Sequence, residues 1–294
     1  MPHKSGRGPA TVLVGIVALL TLSSCTTIQV RLAMNQGVSN FKSKEFEKAV
    51  ESFKKAIAID SKYSEGYLDL GLTYMELYEP GSEHPKDKEY ADGAIQAFKK
   101  YIELNPTNEK GKEYLINICN LAHRMQDAID FFLVEYQQKP NDLEMVKKLA
   151  ALYRMAGDTE KAIDYYQKAA ELDPTNAESF YSVGVACWGR SYNSPYLEYD
   201  VRMALLDRGQ AALEKAIAIK KDYYEAYLYL NLLYRQKAQY DISPAQAITW
   251  RQKADELQAK ALELRNAQMQ AQAAAAAASG TQPQTPAPAS PGGK

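Results

Sequence analysis

The 294 residues carry 35 Lys and Arg against 36 Asp and Glu, for a formal net charge of −1 and a pI near 6.4. A chain built to hold nucleic acid needs a basic surplus to neutralise phosphates, and none is present. Hydrophobic residues make up 46 %, enough to bury a core over most of the length. The 21 tyrosines against 7 Phe and 2 Trp suit rings half buried between helices with their hydroxyls in water.

At the N-terminus, His3, Lys4 and Arg7 precede a short apolar run, Ala10 to Leu22, which ends in Leu22-Ser23-Ser24-Cys25. A positive opening, an apolar run too short to span a bilayer comfortably, and small residues at a cleavage point predict a secretory signal. The Leu-Ser-Ser-Cys ending resembles a bacterial lipobox. That resemblance implies removal of residues 1–24, lipidation of Cys25 and a short spacer over 25–29. The alternative is an uncleaved membrane anchor with an incidental Cys. Several acyl chains would hold the protein on a membrane where one would not. Thr26, rather than Asp, follows Cys25; by the same resemblance this implies the outer membrane, with the rest of the chain facing the periplasm.

From about Val30 to about Leu262 the chain repeats with a 34-residue beat, clearest in Leu143 to Asn176. There Leu149-Ala150 and Tyr153 lie on one segment, Gly157-Asp158 forms a turn, and Ala162, Tyr166, Ala169 and Pro174 follow. Small residues three to four apart let two helices approach closely, and the aromatics fill the seam. These landmarks resemble the tetratricopeptide repeat (TPR), which implies an all-α, TPR-type α-solenoid: a right-handed superhelix of helix hairpins. Six repeats are expected, at 30–63, 64–108, 109–142, 143–176, 177–223 and 224–265, within a solenoid spanning 30–265. The second and fifth carry insertions, Glu79 to Glu89 and Ser191 to Met203. Pro80, Gly81 and Pro85 predict the first to be an exposed loop. The second holds Tyr192, Tyr196, Leu197 and Tyr199 and either folds back on the array or touches a partner.

Within a repeat, the small residue at Gly37, Gly71, Ala150 or Gly184 is expected to face Ala49, Ala94, Ala162 or Gly209. Pro106, Pro140 and Pro174 stop the second helices. Cys119 and Cys187 take the place held elsewhere by Tyr74, Tyr153 and Tyr234, and are predicted to be small buried hydrophobes outside disulfide reach. A last helix opens at Ser243-Pro244, with Gln246 three residues after the Ser. Its stripe of Trp250, Ala254, Leu257, Ala261 and Leu264 predicts a cap that covers the final core layer. The remainder, 266–294, is Ala/Gln-rich and then Pro-rich, and its end cannot bury a core, so a disordered tail is expected.

In the TPR family, partner peptides lie along the concave wall formed by the first helix of each repeat. Mapped onto this chain, that wall offers Asn117 and Asn120, then Lys147, Lys148, Arg154 and Met155, then Tyr181 and Trp188, then Tyr229 and Arg235. Trp, Tyr and Arg in neighbouring turns suit a peptide hot spot; the plainer alternative is an ordinary solvated helix face. The carboxylate clamp used by some TPR proteins cannot be assembled, since Met34, Val38, Asp69 and Glu113 stand at its positions. His84 and His123 lack metal-ligand neighbours at ligand spacing, and phosphate loops and nucleophile motifs are missing. Neither enzyme activity nor a cofactor is expected. The resemblance implies a membrane-anchored, periplasm-facing interaction scaffold that binds a protein or peptide. It is similar to TPR lipoproteins serving envelope or secretion-system assembly, such as secretin pilotins. The other reading is a small-molecule-binding lipoprotein accessory to a transporter, with Trp188 and Tyr181 lining a pocket.

Overall fold

The computed structural model describes residues 10–82 and 84–279, with side chains from 26 to 277 apart from residue 83. The expected tail end, 280–294, and the first nine residues lie outside the described residues. Among the described residues there are twelve helices and no strand. In order they are α1 (Ala10–Lys42), α2 (Phe46–Ile59), α3 (Ser64–Leu77), α4 (Pro85–Leu104), α5 (Glu109–Leu121) and α6 (Met125–Gln138). Then follow α7 (Leu143–Met155), α8 (Thr159–Leu172), α9 (Ala177–Tyr192), α10 (Tyr199–Ile219), α11 (Tyr224–Tyr240) and α12 (Pro244–Ser279). Pairs of consecutive helices form six hairpins, an all-α TPR solenoid architecture. The chain divides into two compact units, Met1–Glu135 and Tyr136–Lys294.

Turn chemistry sets the hairpins. Pro106, Pro140 and Pro174 each stand two residues after a helix end, and a capping residue follows two positions later. Asn108 accepts from Gly111 N–H at 3.1 Å, Asp142 from Met145 N–H at 3.1 Å, and Asn176 from Glu178 N–H at 3.0 Å. In the two repeats without that proline, Tyr63 and Tyr223 occupy the cap position and no side chain caps the next helix. Inside α7–α8, Gly157 adopts φ +79° and Asp158 caps α8 through Lys161 N–H at 3.1 Å.

The small-residue beat packs the hairpins: Gly209 lies against Gly184 as expected, the carbonyl oxygen of Gly184 being 3.5 Å from where a Gly209 methyl would sit, and a bulky side chain one turn on also fills the space. Gly37, Gly71 and Gly184 face Phe53, Phe98 and Leu213, and a methyl group at any of the three would overlap that side chain. Each of these is the residue four positions after the small one on the second helix. The bulky group drops into the space the glycine leaves, while the small residue beside it brings the backbones together. Phe53, Phe98 and Leu213 are at most 1 % exposed. Cys119 and Cys187 are fully buried and free, as the sequence predicts. Cys187 lies against Gly209, its Cβ 2.9 Å from where a methyl group on that glycine would sit.

Both insertions are shorter as loops than expected. Pro85 begins α4 instead of ending a loop, because proline's missing N–H costs nothing in a first helical turn. The described irregular residues are 78–82 and 84, and buried Asp87 ties down the first of them by accepting from Glu79 N–H at 3.2 Å. In the second insertion, Ser191 and Tyr192 extend α9, and Tyr199 to Met203 open α10. The turn between them is held from within. Arg202, 1 % exposed, donates to Ser191 O at 2.5 Å, Ser194 O at 2.6 Å and Pro195 O at 3.2 Å. Its guanidinium also lies 3.8 Å over the Tyr240 ring. The insertion therefore folds back on its own unit.

The cap forms as the sequence predicts. Ala254 and Ala261 are buried against α11, with Trp250, Leu257 and Leu264 half-buried along the same stripe. Helix α1 runs through the Cys25 position without a break. Its described packing begins at Val30, Ala33 and Met34. Among the described residues no helix is long and apolar enough to cross a membrane.

Candidate functional site: an aromatic ladder between two first helices

In the second unit, the first helices of the fifth and sixth hairpins, α9 and α11, touch along one face. On α9, Tyr181, Trp188 and Tyr192 are spaced seven and four, which sets them on a single stripe. Tyr229 of α11 stands opposite, and Tyr223 stands at the cap position of α11. The rings join in one run. Trp188 stacks on Tyr192 at 5.1 Å and 17°, and meets Tyr229 edge-to-face at 5.4 Å and 79°. Tyr229 meets Tyr181 at 5.6 Å and 79°, and Tyr181 meets Tyr223 at 5.0 Å and 39°. Such pairs are worth about 0.5–1.5 kcal/mol each beyond burial, so the rings hold one another in place.

The ladder grades from wet to dry. Tyr192 is 64 % exposed, Trp188, Tyr229 and Tyr181 are half-buried, and Tyr223 is 5 % exposed. At the dry end the Tyr223 hydroxyl donates to the Glu178 carboxylate. Burial, then that hydrogen bond, pushes the Tyr223 phenol far above its ordinary value. Burial, then Tyr229 and Glu178, does the same for Tyr181. Both phenols stay neutral at any physiological pH and serve as donors and apolar faces. Lys220 lies 4.6 Å over the Tyr223 ring. Beside this end is a hollow of about 480 Å³ with a mixed lining that includes Asp173, Asn176, Glu178, Lys220 and Tyr223.

The other residues expected on the wall are placed as follows. Asn117 and Asn120 are exposed on α5, in the first unit. Lys147, on α7, pairs with Glu144 of its own helix at 3.1 Å, and Arg154 is exposed at the end of α7. Arg235 is engaged within the protein: it donates to Asn231 at 2.8 Å, Asp255 at 2.8 Å and Gln258 at 2.6 Å, pinning α12 to α11. Trp188, Tyr181 and Tyr229 come together, and the ring neighbours of Trp188 are Tyr192 and Tyr229. Sequence reasoning left out Tyr223 and Glu178. The signal for Tyr223 was available, since a Tyr stands where most repeats put a capping Asn or Asp. Among the described residues no group of three or more His, Cys, Asp or Glu is placed to hold a metal ion. His84 instead caps α4, its Nδ1 accepting from Lys86 N–H at 3.2 Å.

A tetratricopeptide repeat family model matches residues 147–176, and a second TPR repeat model matches 39–77. The chain carries tetratricopeptide repeats. The chain is 24 % identical over 153 residues to a TPR repeat-containing protein of Methanocaldococcus jannaschii, covering 52 % of this chain and 24 % of that one. A 45-residue stretch is 42 % identical to a CTR9 homologue of Arabidopsis thaliana, covering 15 % of this chain and 4 % of that protein. The TPR chain thus spans a quarter or less of the length of these curated relatives. Among solved structures, a MamA protein is similar at 22 % identity and a TM-score of 0.37, covering 73 % of this chain and 97 % of that one. YrrB, described as a TPR protein with an unusual peptide-binding site, is similar at 21 % identity and a TM-score of 0.36, covering 66 % and 88 %.

Proposed function

We propose that this TPR protein is a lipid-anchored interaction scaffold that holds a peptide or protein partner on the α9–α11 face. In that reading Cys25 carries the lipid, the repeats face the periplasm from the outer membrane, and the partner belongs to envelope or secretion-system assembly. The TPR fold supports the general role, because stacked helix hairpins present repeated side-chain rows that suit protein recognition, and TPR scaffolds are as a class non-catalytic. The observation that carries the reading is the ladder itself. Five rings, locked together and graded in exposure, offer a rigid aromatic surface whose capture of a partner immobilises few rotamers. The lipobox-like Leu22-Ser23-Ser24-Cys25 supports the anchor.

The test is affinity purification of the lipidated full chain against a Trp188→Ala, Tyr192→Ser variant. Hot-spot rings are worth about 2 kcal/mol or more, roughly 30-fold in affinity, so a polypeptide recovered with the wild type should be lost with the variant. Equal recovery places the partner elsewhere. A retained small molecule with no polypeptide favours the transporter-accessory reading. Labelling with radioactive palmitate, with and without Cys25→Ser, tests the anchor; a label that survives the substitution refutes it.

A further inference from the structure

An apolar cavity opens between α1 and α3 in the first unit. It measures about 250 Å³ and is lined by Val38, Phe41 and Lys42 of α1, Phe53 of α2, and Asp69 and Leu72 of α3. Phe53, the ring that packs against Gly37, is 1 % exposed and closes the bottom. Val38, Phe41 and Leu72 are half-buried, and Phe41 is held edge-to-face on Phe46 at 5.3 Å and 66°. Sites for drug-sized ligands hold about 300–1,000 Å³, so this space suits one large side chain rather than a whole small molecule.

One wall is charged. Asp69 is half-buried, and its carboxylate has neither a hydrogen bond nor an ion pair among the described residues. Burial, then Glu65, pushes that carboxyl above its ordinary value. Helix α3 carries three acidic residues and no basic one. Glu65, Asp69, Leu72 and Glu76 are spaced four, three and four, a single stripe along the helix. Glu65 and Glu76 are exposed. Lys42, on the α1 side of the cavity, is exposed at the helix end and forms no ion pair with Asp69. A half-buried carboxylate without a counterion costs free energy that an arriving cation recovers. The rest of the lining rewards only apolar contact.

We propose that this cavity is a second docking site, and that it takes a partner segment in which a large apolar side chain stands next to a lysine or arginine. The apolar group enters over Phe53, between Val38, Phe41 and Leu72. The cation sits on Asp69, with its stem along the wall. The acidic stripe of α3 draws basic segments in and turns acidic ones away. This site lies in the first unit and shares no residue with the aromatic ladder, so it stands whether or not the ladder binds.

Panning a random peptide library, displayed on phage, against the full chain tests the assignment. The expected result is a set of peptides with Lys or Arg next to Leu, Ile, Met or Phe. Synthetic copies, followed by fluorescence anisotropy, should bind the Trp188→Ala, Tyr192→Ser variant as tightly as the wild type. They should bind Asp69→Asn about ten-fold more weakly or worse, since a hydrogen bond to a charged group is worth that much. Asp69→Arg should reverse the preference, favouring a copy whose basic residue is changed to Glu. Circular dichroism melting shows that both variants are folded. A selection without that motif overturns the proposal, and so does a motif whose binding ignores both Asp69 variants. Peptides lost with Trp188→Ala, Tyr192→Ser but kept by Asp69→Asn would support the ladder and overturn the cavity. Indifference to all of these variants overturns both.

Discussion

Replacing Arg202 by Met isolates the device that fastens the second insertion. The methionine keeps the apolar stem's volume and removes four donor contacts, to Ser191 O, Ser191 Oγ, Ser194 O and Pro195 O. Ser194 and Pro195 lie in the turn and can rehydrate, but Ser191 is 0 % exposed and its oxygens cannot. A buried acceptor stripped of its donor costs about 1–3 kcal/mol, and the contact with the Tyr240 ring adds about 1 kcal/mol. Against that, the variant no longer buries a cation. With that offset the balance is a loss of about 1–3 kcal/mol, or roughly 2–12 °C in the melting temperature of a unit this size. Hydrogen exchange should quicken in residues 193–198 and in the last turn of α9, and Tyr192 should lose its fixed stacking on Trp188. A loss under about 0.5 kcal/mol with unchanged exchange in that turn would refute the reasoning, since the penalty for an orphaned buried acceptor would then not apply to Ser191.

Three further outcomes follow from the packing. Gln236 is 5 % exposed and neither of its amide atoms has a hydrogen-bond partner among the described residues, so Gln236→Leu should raise stability by about 1–3 kcal/mol in urea titration. Ala162→Leu, at a position 1 % exposed inside the fourth hairpin, should cost about 1–3 kcal/mol while leaving partner recovery unchanged. Burial pushes the Cys119 thiol up to about 11 and the Cys187 thiol up to about 12. Both should resist alkylation in the native chain at pH 8 and react once it is unfolded, as mass spectrometry would show. Their folded values lie above the unfolded value, so their contribution to stability is complete below about pH 9 and declines as pH rises toward 12.

The sequence carried the hairpins plainly, because their packing depends on local rules repeated six times. Prolines that stop a helix, Asn or Asp caps two residues later, and small residues at fixed spacing all act within one repeat. Misjudged features depend on context instead. Pro85 stood as a loop signal until its place in a first helical turn was known. Gly37 was expected to meet Ala49, whereas the ring one turn on, Phe53, fills its space. Arg202 is a charged residue in an insertion, and pattern alone cannot say that backbone carbonyls and Tyr240 surround it. At the candidate site, Trp188, Tyr181 and Tyr229 were recognised from repeat position. Tyr223 and Glu178 were not, since their meeting depends on how one turn packs against the preceding helix. Arg235, expected on the open wall, is exposed and also ties down the cap, because its partners Asp255 and Gln258 come from the one helix that departs from the repeat.

Site-specific photocrosslinking in intact cells addresses the binding face most directly. A photoreactive residue in place of Tyr192, 64 % exposed at the wet end of the ladder, should capture a polypeptide partner. The same residue in place of Leu262, 49 % exposed on α12, should capture none. Adducts from position 262 with none from 192 would contradict the account.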